Sequence, residues 1–427
     1  MQVTRTNKSP TSTSLLIRAD ASDLTPIKNH VLGHFAGKIK VPGFRVGTAP
    51  AALVEKQVDQ QALADEFIEH ALNQLFTRAI DQEKLRTASK PQVSIKKFVP
   101  FTDLEFEVDV EIIGSVKLPD YKRIKLAKKS AEVTTAEINS VIKSLQQRMA
   151  SRKEVDRPAK KGDEALIDFK GKDKDGKAVE GAQGQDYPLL LGSANFIPGF
   201  EEELFGLKGG DKKDFTITFP NDYSVGTLRG KPVTFNVEVK KVSEVVEPKV
   251  DDTFAAKAGP VKTVAELKAD IKKQLQAEKQ NTVERQYENE LVKKIVDKSE
   301  VEVPPGLVDE QTAQAEENEK RDLLARGQTW QEHLTSEGIT EQQHRERQRP
   351  DSQFRVKASL VLSEVAEKED ITITPEELEI RIQILKGQYQ DPQMQAELDK
   401  PENQRGIASQ LMTEKTVAKL VEYALKS

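Results

Sequence analysis

The 427-residue chain has no cysteine, one tryptophan and four methionines, and only 5% of it is aromatic. Without cysteine there is no disulfide framework, no thiol nucleophile and no thiolate metal site. Four methionines are too few for a Met-rich adaptable binding surface. No run of about eighteen apolar residues occurs, so no membrane-spanning helix is expected. The opening MQVTRTNKSPTSTS lacks the apolar stretch of a secretory signal, and a cytosolic address is expected. A nucleotide-binding loop is missing too, because Gly209-Gly210 is not followed by the Lys-Ser/Thr pair that would hold phosphates. His30 and His34 stand one helical turn apart, which suits a metal, but no third ligand lies near them in sequence. The expectation is therefore no cofactor and no metal.

What is present is charge. Charged residues make up 32% of the chain and hydrophobic ones 37%, with a net charge of -5. The length implies two to four domains. Residues 1–50 depart from the acidic average, with Arg5, Lys8, Arg18, Lys28, Lys38, Lys40 and Arg45 against Asp20 and Asp23. A basic end on an acidic chain is suited to a polyanionic partner.

The periodicity gives the elements. Residues 13–19 read as a strand, and Asp23 precedes a helix carrying Leu24, Ile27, Val31 and Phe35. VPGFRVGTAP must be a loop, and Pro50 opens the next helix. Between 103 and 112, Leu104, Phe106, Val108, Val110 and Ile112 alternate with acidic residues, which predicts an antiparallel strand with one wet face. Thr134 and Glu137 form a capping box before another helix. SRKEVDRPAKKGD reads as a boundary. From 163 to 243 short strands follow one another, with an Asp175-Gly176 hairpin turn and one short helix near 199–205. Beyond Pro248 the chain is helical, with starts at Thr263 and at Thr374-Pro375, and Thr329–Glu332 caps a helix on which Trp330 is a packing residue. The segment 309–322 is polar all round, predicting a solvated arm or a poorly stable helix.

Two motifs carry the functional reading. The first is IDFKG, a G-K-x-V-E turn, LLLGSANFIPGFEEEL, FPNDYSVGTLRG and VTFNVEV, in that order. This resembles the FKBP-type prolyl isomerases along the whole segment. The resemblance implies a pocket walled by Phe169, Tyr187, Phe196, Ile197, Phe200 and Phe235, with Phe200 as its floor. It puts Glu180 where many members have aspartate and Tyr223 in the loop above. Phe200 stands where the stand-alone enzymes have tryptophan, and Val225 where they have a ligand-binding tyrosine.

The second is Gly43-Phe44-Arg45-Val46-Gly47-Thr48-Ala49-Pro50. It resembles the GFRxGxxP signature of the trigger factor family, bacterial chaperones that act at the ribosome. Two glycines would form a tight tip displaying one aromatic ring and one guanidinium. At Val46 the family commonly has lysine, so one charge fewer predicts weaker, less salt-sensitive docking.

The resemblance to this family covers essentially the whole chain and implies a multidomain α+β protein. Residues 1–113 would be an α+β ribosome-binding domain. Residues 156–245 would be an FKBP-like antiparallel sheet with a helix, inserted into an elongated all-α chaperone domain at 246–427 that also packs the linker and helix of 114–155. The implied function is an ATP-independent chaperone at the ribosomal exit tunnel, contacting tunnel protein and rRNA, shielding unfolded nascent chains and isomerising X-Pro bonds. The charge asymmetry allows a homodimer off the ribosome. Two other readings stay open: a free prolyl isomerase, and an assembly chaperone working away from the ribosome.

Overall fold

A computed structural model describes residues 1–221, 223 and 228–426, apart from the side chain of Glu180. The chain forms two compact units. One comprises Met1–Leu126, Glu288–Arg326 and Glu341–Ser427, the other Ala127–Tyr287 and Gly327–Thr340.

In the first unit β1 (Gln2–Ser9), β2 (Ser12–Asp20), β3 (Gln92–Val99) and β4 (Asp103–Glu111) form an antiparallel sheet in the order β1-β2-β4-β3. β4 buries every second residue, as its sequence alternation requires. The cover consists of α1 (Ala21–Ala36) and α3 (Gln60–Glu83), joined through α2 (Ala51–Gln57). Leu24 and Ile27 of α1 and Phe67, Ala71 and Leu75 of α3 pack on Leu15, Ile17, Leu104, Phe106 and Val108. Helix α1 begins earlier than its apolar pattern, because the Asp20 carboxylate accepts from the Ser22 and Asp23 amides at 2.8 and 3.3 Å. The edge strands β1 and β3 were not foreseen. Nearly all their side chains are exposed, so no alternation marks them; their order comes from backbone pairing with β2 and β4.

The helices that follow are α4 (Thr135–Arg148), α5 (Asp252–Ala258), α6 (Val264–Lys298), α7 (Pro305–Ala325), α8 (Trp330–Glu337), α9 (Glu341–Lys368), α10 (Pro375–Lys386), α11 (Pro392–Glu397) and α12 (Pro401–Lys426). Capping boxes at Thr134, Thr329 and Thr374 start α4, α8 and α10 as expected. Trp330 is half-buried and stacks on His333 at 5.6 Å. Among the described residues no helix is long and apolar enough to cross a membrane.

Helix α7 corrects the expectation for 309–322. It is a full 21-residue helix laid against α9, with Val308, Thr312, Glu316 and Leu323 buried. Its polar seam is satisfied by charge pairing. Arg345 donates to Glu316 at 2.8 and 3.0 Å and Lys320 at 2.6 Å, while Arg349 pairs with Asp309. Hydrophobic periodicity is blind to such a helix, because the middle of its packing face is filled by the Glu316 ion pairs rather than by apolar residues.

A second polar node closes the same unit. Glu369, at the end of α9, accepts from Tyr121 Oη at 2.6 Å, Tyr423 Oη at 2.5 Å and Lys122 Nζ at 2.8 Å. Burial alone would raise this carboxyl, but the Lys122, Tyr121 and Tyr423 hydrogen bonds outweigh it and bring it down to about 2. Its folded value lies below the unfolded one, so its stabilisation is complete above the ordinary glutamate range and is lost as pH falls toward 2. Glu369→Gln is therefore expected to melt below the unchanged protein at pH 6, with the gap narrowing steadily between pH 5 and pH 3. Thermal melts of both chains across that range check this, and a gap independent of pH would refute it.

The second unit holds a five-stranded antiparallel sheet of β5 (Ser151–Glu154), β6 (Asp163–Lys172), β7 (Ala178–Leu190), β8 (Lys212–Thr218) and β9 (Pro232–Val246). The path is β5-β9-β6-β7, with β8 also on β9. At 15 residues β9 serves three partners: β6 along one edge, and on the other β8 by its first half and β5 by its last four residues. The expected boundary at SRKEVDRPAKKGD thus contains a strand, so polar that its composition hides it. The short helix expected at 199–205 is a series of turns with one 3-10 turn at Glu202–Leu204. Beside the sheet, Ile142 of α4, Phe254 and Ala255 of α5, and Leu267 and Ile271 of α6 form a separate small core.

Candidate functional site

The 41–50 loop joins α1 to α2 in the first unit. Its two ends are anchored, with Val41 buried and Ala49 packed in a cluster with Val31, Leu32, Val54 and Leu63. Between them the Gly47 amide donates to the Ala36 carbonyl at 2.9 Å, and Thr48 donates to the Arg45 carbonyl through its amide at 3.0 Å and its hydroxyl at 2.7 Å. Gly43 and Gly47 have φ of +84° and +89°. No atom crowds either position, so backbone conformation alone selects glycine there.

This bracing leaves the tip outside. Phe44 is 40% and Val46 52% exposed. The Arg45 guanidinium has no ion-pair or hydrogen-bond partner among the described residues. The surrounding charge is smaller than the sequence count suggested. Lys8, Arg18 and Lys28 are engaged with Asp109, Glu105 and Glu55, and Arg5 with Asn7. Lys38, Lys40 and Arg45, the three nearest the tip in sequence, form no ion pair among the described residues; Lys38 lies over the Phe35 ring at 5.9 Å.

The second site is a cleft of about 460 Å³ in the strand-rich unit, lined by Phe169, Tyr187, Phe196, Ile197, Phe219, Tyr223, Leu228 and Phe235, with Gly181–Gln183, Asn195 and Pro198. Strand β6 supplies Phe169 at a register break against β7. There Asp186, at φ +51°, donates its amide to Asp168 at 2.7 Å, and Lys240 bridges Asp168 and Asp186. That arrangement turns Tyr187 toward the Phe169 and Phe196 rings, 5.9 and 5.7 Å away. Opposite Phe169, Gly184 is obligatory, since a Cβ there would come within 2.6 Å of the Phe169 ring.

The Phe196–Ile197 turn is held from below by Glu201. Its buried carboxylate accepts from the Gly192 amide at 2.5 Å, the Ser193 hydroxyl at 3.1 Å and the Ala194 amide at 3.3 Å. On the far side Tyr223 packs edge-on to Phe219 at 4.7 Å, and Arg229 donates to the Tyr223 carbonyl at 2.7 Å.

Of the residues named from sequence, Phe169, Tyr187, Phe196, Ile197, Tyr223 and Phe235 line this one cleft. Phe200 is fully buried and does not reach the cleft surface; it supports Phe196 from behind at 4.5 Å and Phe235 at 5.2 Å. The Glu180 side chain and Val225 lie outside the described residues. Phe219 and Glu201 were missed. Phe219 continues the alternation of Phe215 and Ile217, which could have marked it as inward-facing. Nothing in its charged surroundings marked Glu201.

Residues 1–145 match the family model described as bacterial trigger factor protein, and residues 263–422 its C-terminal counterpart. Residues 155–240 match the model of FKBP-type peptidyl-prolyl cis-trans isomerase. The chain is 32% identical over 425 residues to a trigger factor of Carboxydothermus hydrogenoformans, covering 99% of both chains. It is 34% identical over 392 residues to one of Listeria innocua, covering 91% of this chain and 90% of that one. A solved structure described as "Promiscuous Substrate Recognition in Folding and Assembly Activities of the Trigger Factor Chaperone" aligns over 99% of each chain at 20% identity with a TM-score of 0.48, below the level at which a likeness of shape carries weight.

Proposed function

The chain belongs to the trigger factor family, and on that premise we propose that it is an ATP-independent chaperone that docks at the ribosomal exit tunnel and isomerises X-Pro bonds in nascent chains. On this reading residues 1–113 dock, residues 156–245 isomerise, and residues 114–155 with 246–427 hold the client, all in the cytoplasm.

The observation that carries docking is the braced, exposed tip at 43–47. Arg45 offers a bidentate fork to an rRNA phosphate or a carboxylate of a tunnel protein. Phe44 can bury its ring against the same surface, and Lys38 and Lys40 add attraction to RNA. Because the tip is already ordered by its glycines and Thr48, little conformational entropy is lost on binding.

The cleft suits isomerisation without a nucleophile, base or metal. The barrier of about 18–20 kcal/mol comes from amide resonance. An apolar, water-excluding cleft favours the twisted imide, which is less polar than the planar one. Tyr187, Tyr223, Asn195 and Gln183 bring polar atoms to the lining, able to hold carbonyls beside the proline. Clients would meet scattered apolar side chains on the C-terminal helices, among them Leu324, Ile380, Ile384 and Leu425, exposed by 55–70%. Weak, separate contacts of this kind suit promiscuous and reversible binding. Off the ribosome, the same side chains are available to a second copy of the chain.

Co-sedimentation with ribosomes tests docking, and a chain that stays in the supernatant at low salt would remove it. A proline-limited refolding assay tests the cleft, where a rate equal to buffer would reduce it to a binding pocket.

A further inference from the structure

Three of the chain's five histidines gather at one place in the first unit, next to a glutamate. His30 and His34 are one turn apart on α1, and Glu66 and His70 are one turn apart on α3. Residues at that spacing share a helix face, and α1 and α3 pack together. His34 Nδ1 lies 2.6 Å from Glu66 Oε1. Donor atoms of His34, Glu66 and His70 all fall within 4.8 Å of one another. The His30 ring stands edge-on to His70 with centroids 5.6 Å apart. His30 and His34 are exposed and the other two half-buried, so solvent reaches the cluster without any opening of the core.

We propose that His34, Glu66 and His70 form a binding site for Zn²⁺ that pins α1 to α3, with His30 or water in the fourth position. Imidazole and carboxylate without thiolate is a zinc donor set. Mg²⁺ and Ca²⁺ would want more oxygens than one glutamate provides. Zinc ligands sit about 2.0–2.2 Å from the ion, so the donors must draw closer than their present spread. Rotation of the exposed His34 side chain brings its ring toward Glu66 and His70. The ion would replace the hydrogen bond between His34 and Glu66, with the neutral His34 ring keeping its one proton on the nitrogen that does not face the metal.

The plainer reading is a single His–Glu hydrogen bond between two helices. It accounts for His34 and Glu66 but leaves His30 and His70 at the same spot, each at one-turn spacing, unexplained. Lys38 also acts on Glu66, and its charge opposes the ion until the flexible side chain swings away. The helix spacing was legible from α1 alone, where no third ligand could be found; packing of α3 supplies two.

The test is calorimetric titration of the full chain, stripped with chelator, with ZnCl₂ at pH 7.5. One equivalent is expected to bind and to raise the melting temperature. His34→Ala/His70→Ala should weaken binding at least tenfold and abolish the zinc-induced melting shift, whatever the loss of the His34–Glu66 hydrogen bond does to the metal-free melt. Should the double variant misfold, Glu66→Gln gives the same comparison with a smaller loss. Failure of the unchanged chain to bind an equivalent at millimolar zinc overturns the site, as does unchanged affinity in a folded variant.

Discussion

Replacing Phe44 and Arg45 together by alanine is expected to lower ribosome affinity at least tenfold, or about 1.4 kcal/mol, while leaving the fold and the refolding activity of the isolated chain intact. The size follows from the geometry. Truncation of a central aromatic or arginine anchor commonly costs about 2 kcal/mol or more, and both side chains stand at the exposed tip, where Arg45 has no ion-pair or hydrogen-bond partner among the described residues to lose. A stability change is not expected, because the loop is anchored by Val41, Ala49 and the Gly47–Ala36 hydrogen bond. Salt dependence separates the two residues. Loss of Arg45 should flatten the decline of binding with ionic strength, whereas loss of Phe44 should lower binding at every salt concentration by a similar factor. Val46→Lys should act in the opposite direction, restoring a charge and steepening the salt response. Sedimentation with purified ribosomes across a salt series measures all three.

The second large effect belongs to the cleft. Phe196→Ala is expected to reduce kcat/KM for a proline-limited refolding substrate by about 10- to 100-fold, or roughly 1.4–2.7 kcal/mol of transition-state stabilisation. Phe196 contacts Phe169, Tyr187 and Phe200 and forms one wall. Removing its ring admits water to the site where the imide must be desolvated, and opens a path to Phe200 beneath. Because Phe196 is only partly buried, the sheet and its core should stay folded, unlike in a variant of the fully buried Phe235. Refolding rates with equal amounts of folded protein check this; an unchanged rate would mean that the cleft is not where isomerisation takes place.

Much of this could be read from residue order, and the failures share a cause. Strand β4 was legible because one face is apolar and the other acidic, and α4, α8 and α10 because Thr and Glu at a spacing of three satisfy free amides. Strands β1, β3 and β5 and helix α7 were not, because polar backbone pairing or ion pairs hold them and leave no hydrophobic period. The aromatic cleft was named nearly in full from a motif, yet the parts that aim it were invisible. Glu201 under the Phe196 turn, the Asp168–Lys240–Asp186 bridge behind Tyr187, and Gly184 opposite Phe169 act through contacts distant in sequence. Charge counting overstated the basic end for a similar reason: the ions that pair with Lys8, Arg18 and Lys28 come from strands and helices far along the chain.

The most direct test of the account is a photo-crosslinker placed at Val46 in the full-length chain, irradiated in the presence of translating ribosomes. Crosslinks are expected to the protein and rRNA that border the exit tunnel, competed away by excess unlabelled chain and lost in Phe44→Ala/Arg45→Ala. Crosslinks found only to free proteins would contradict it.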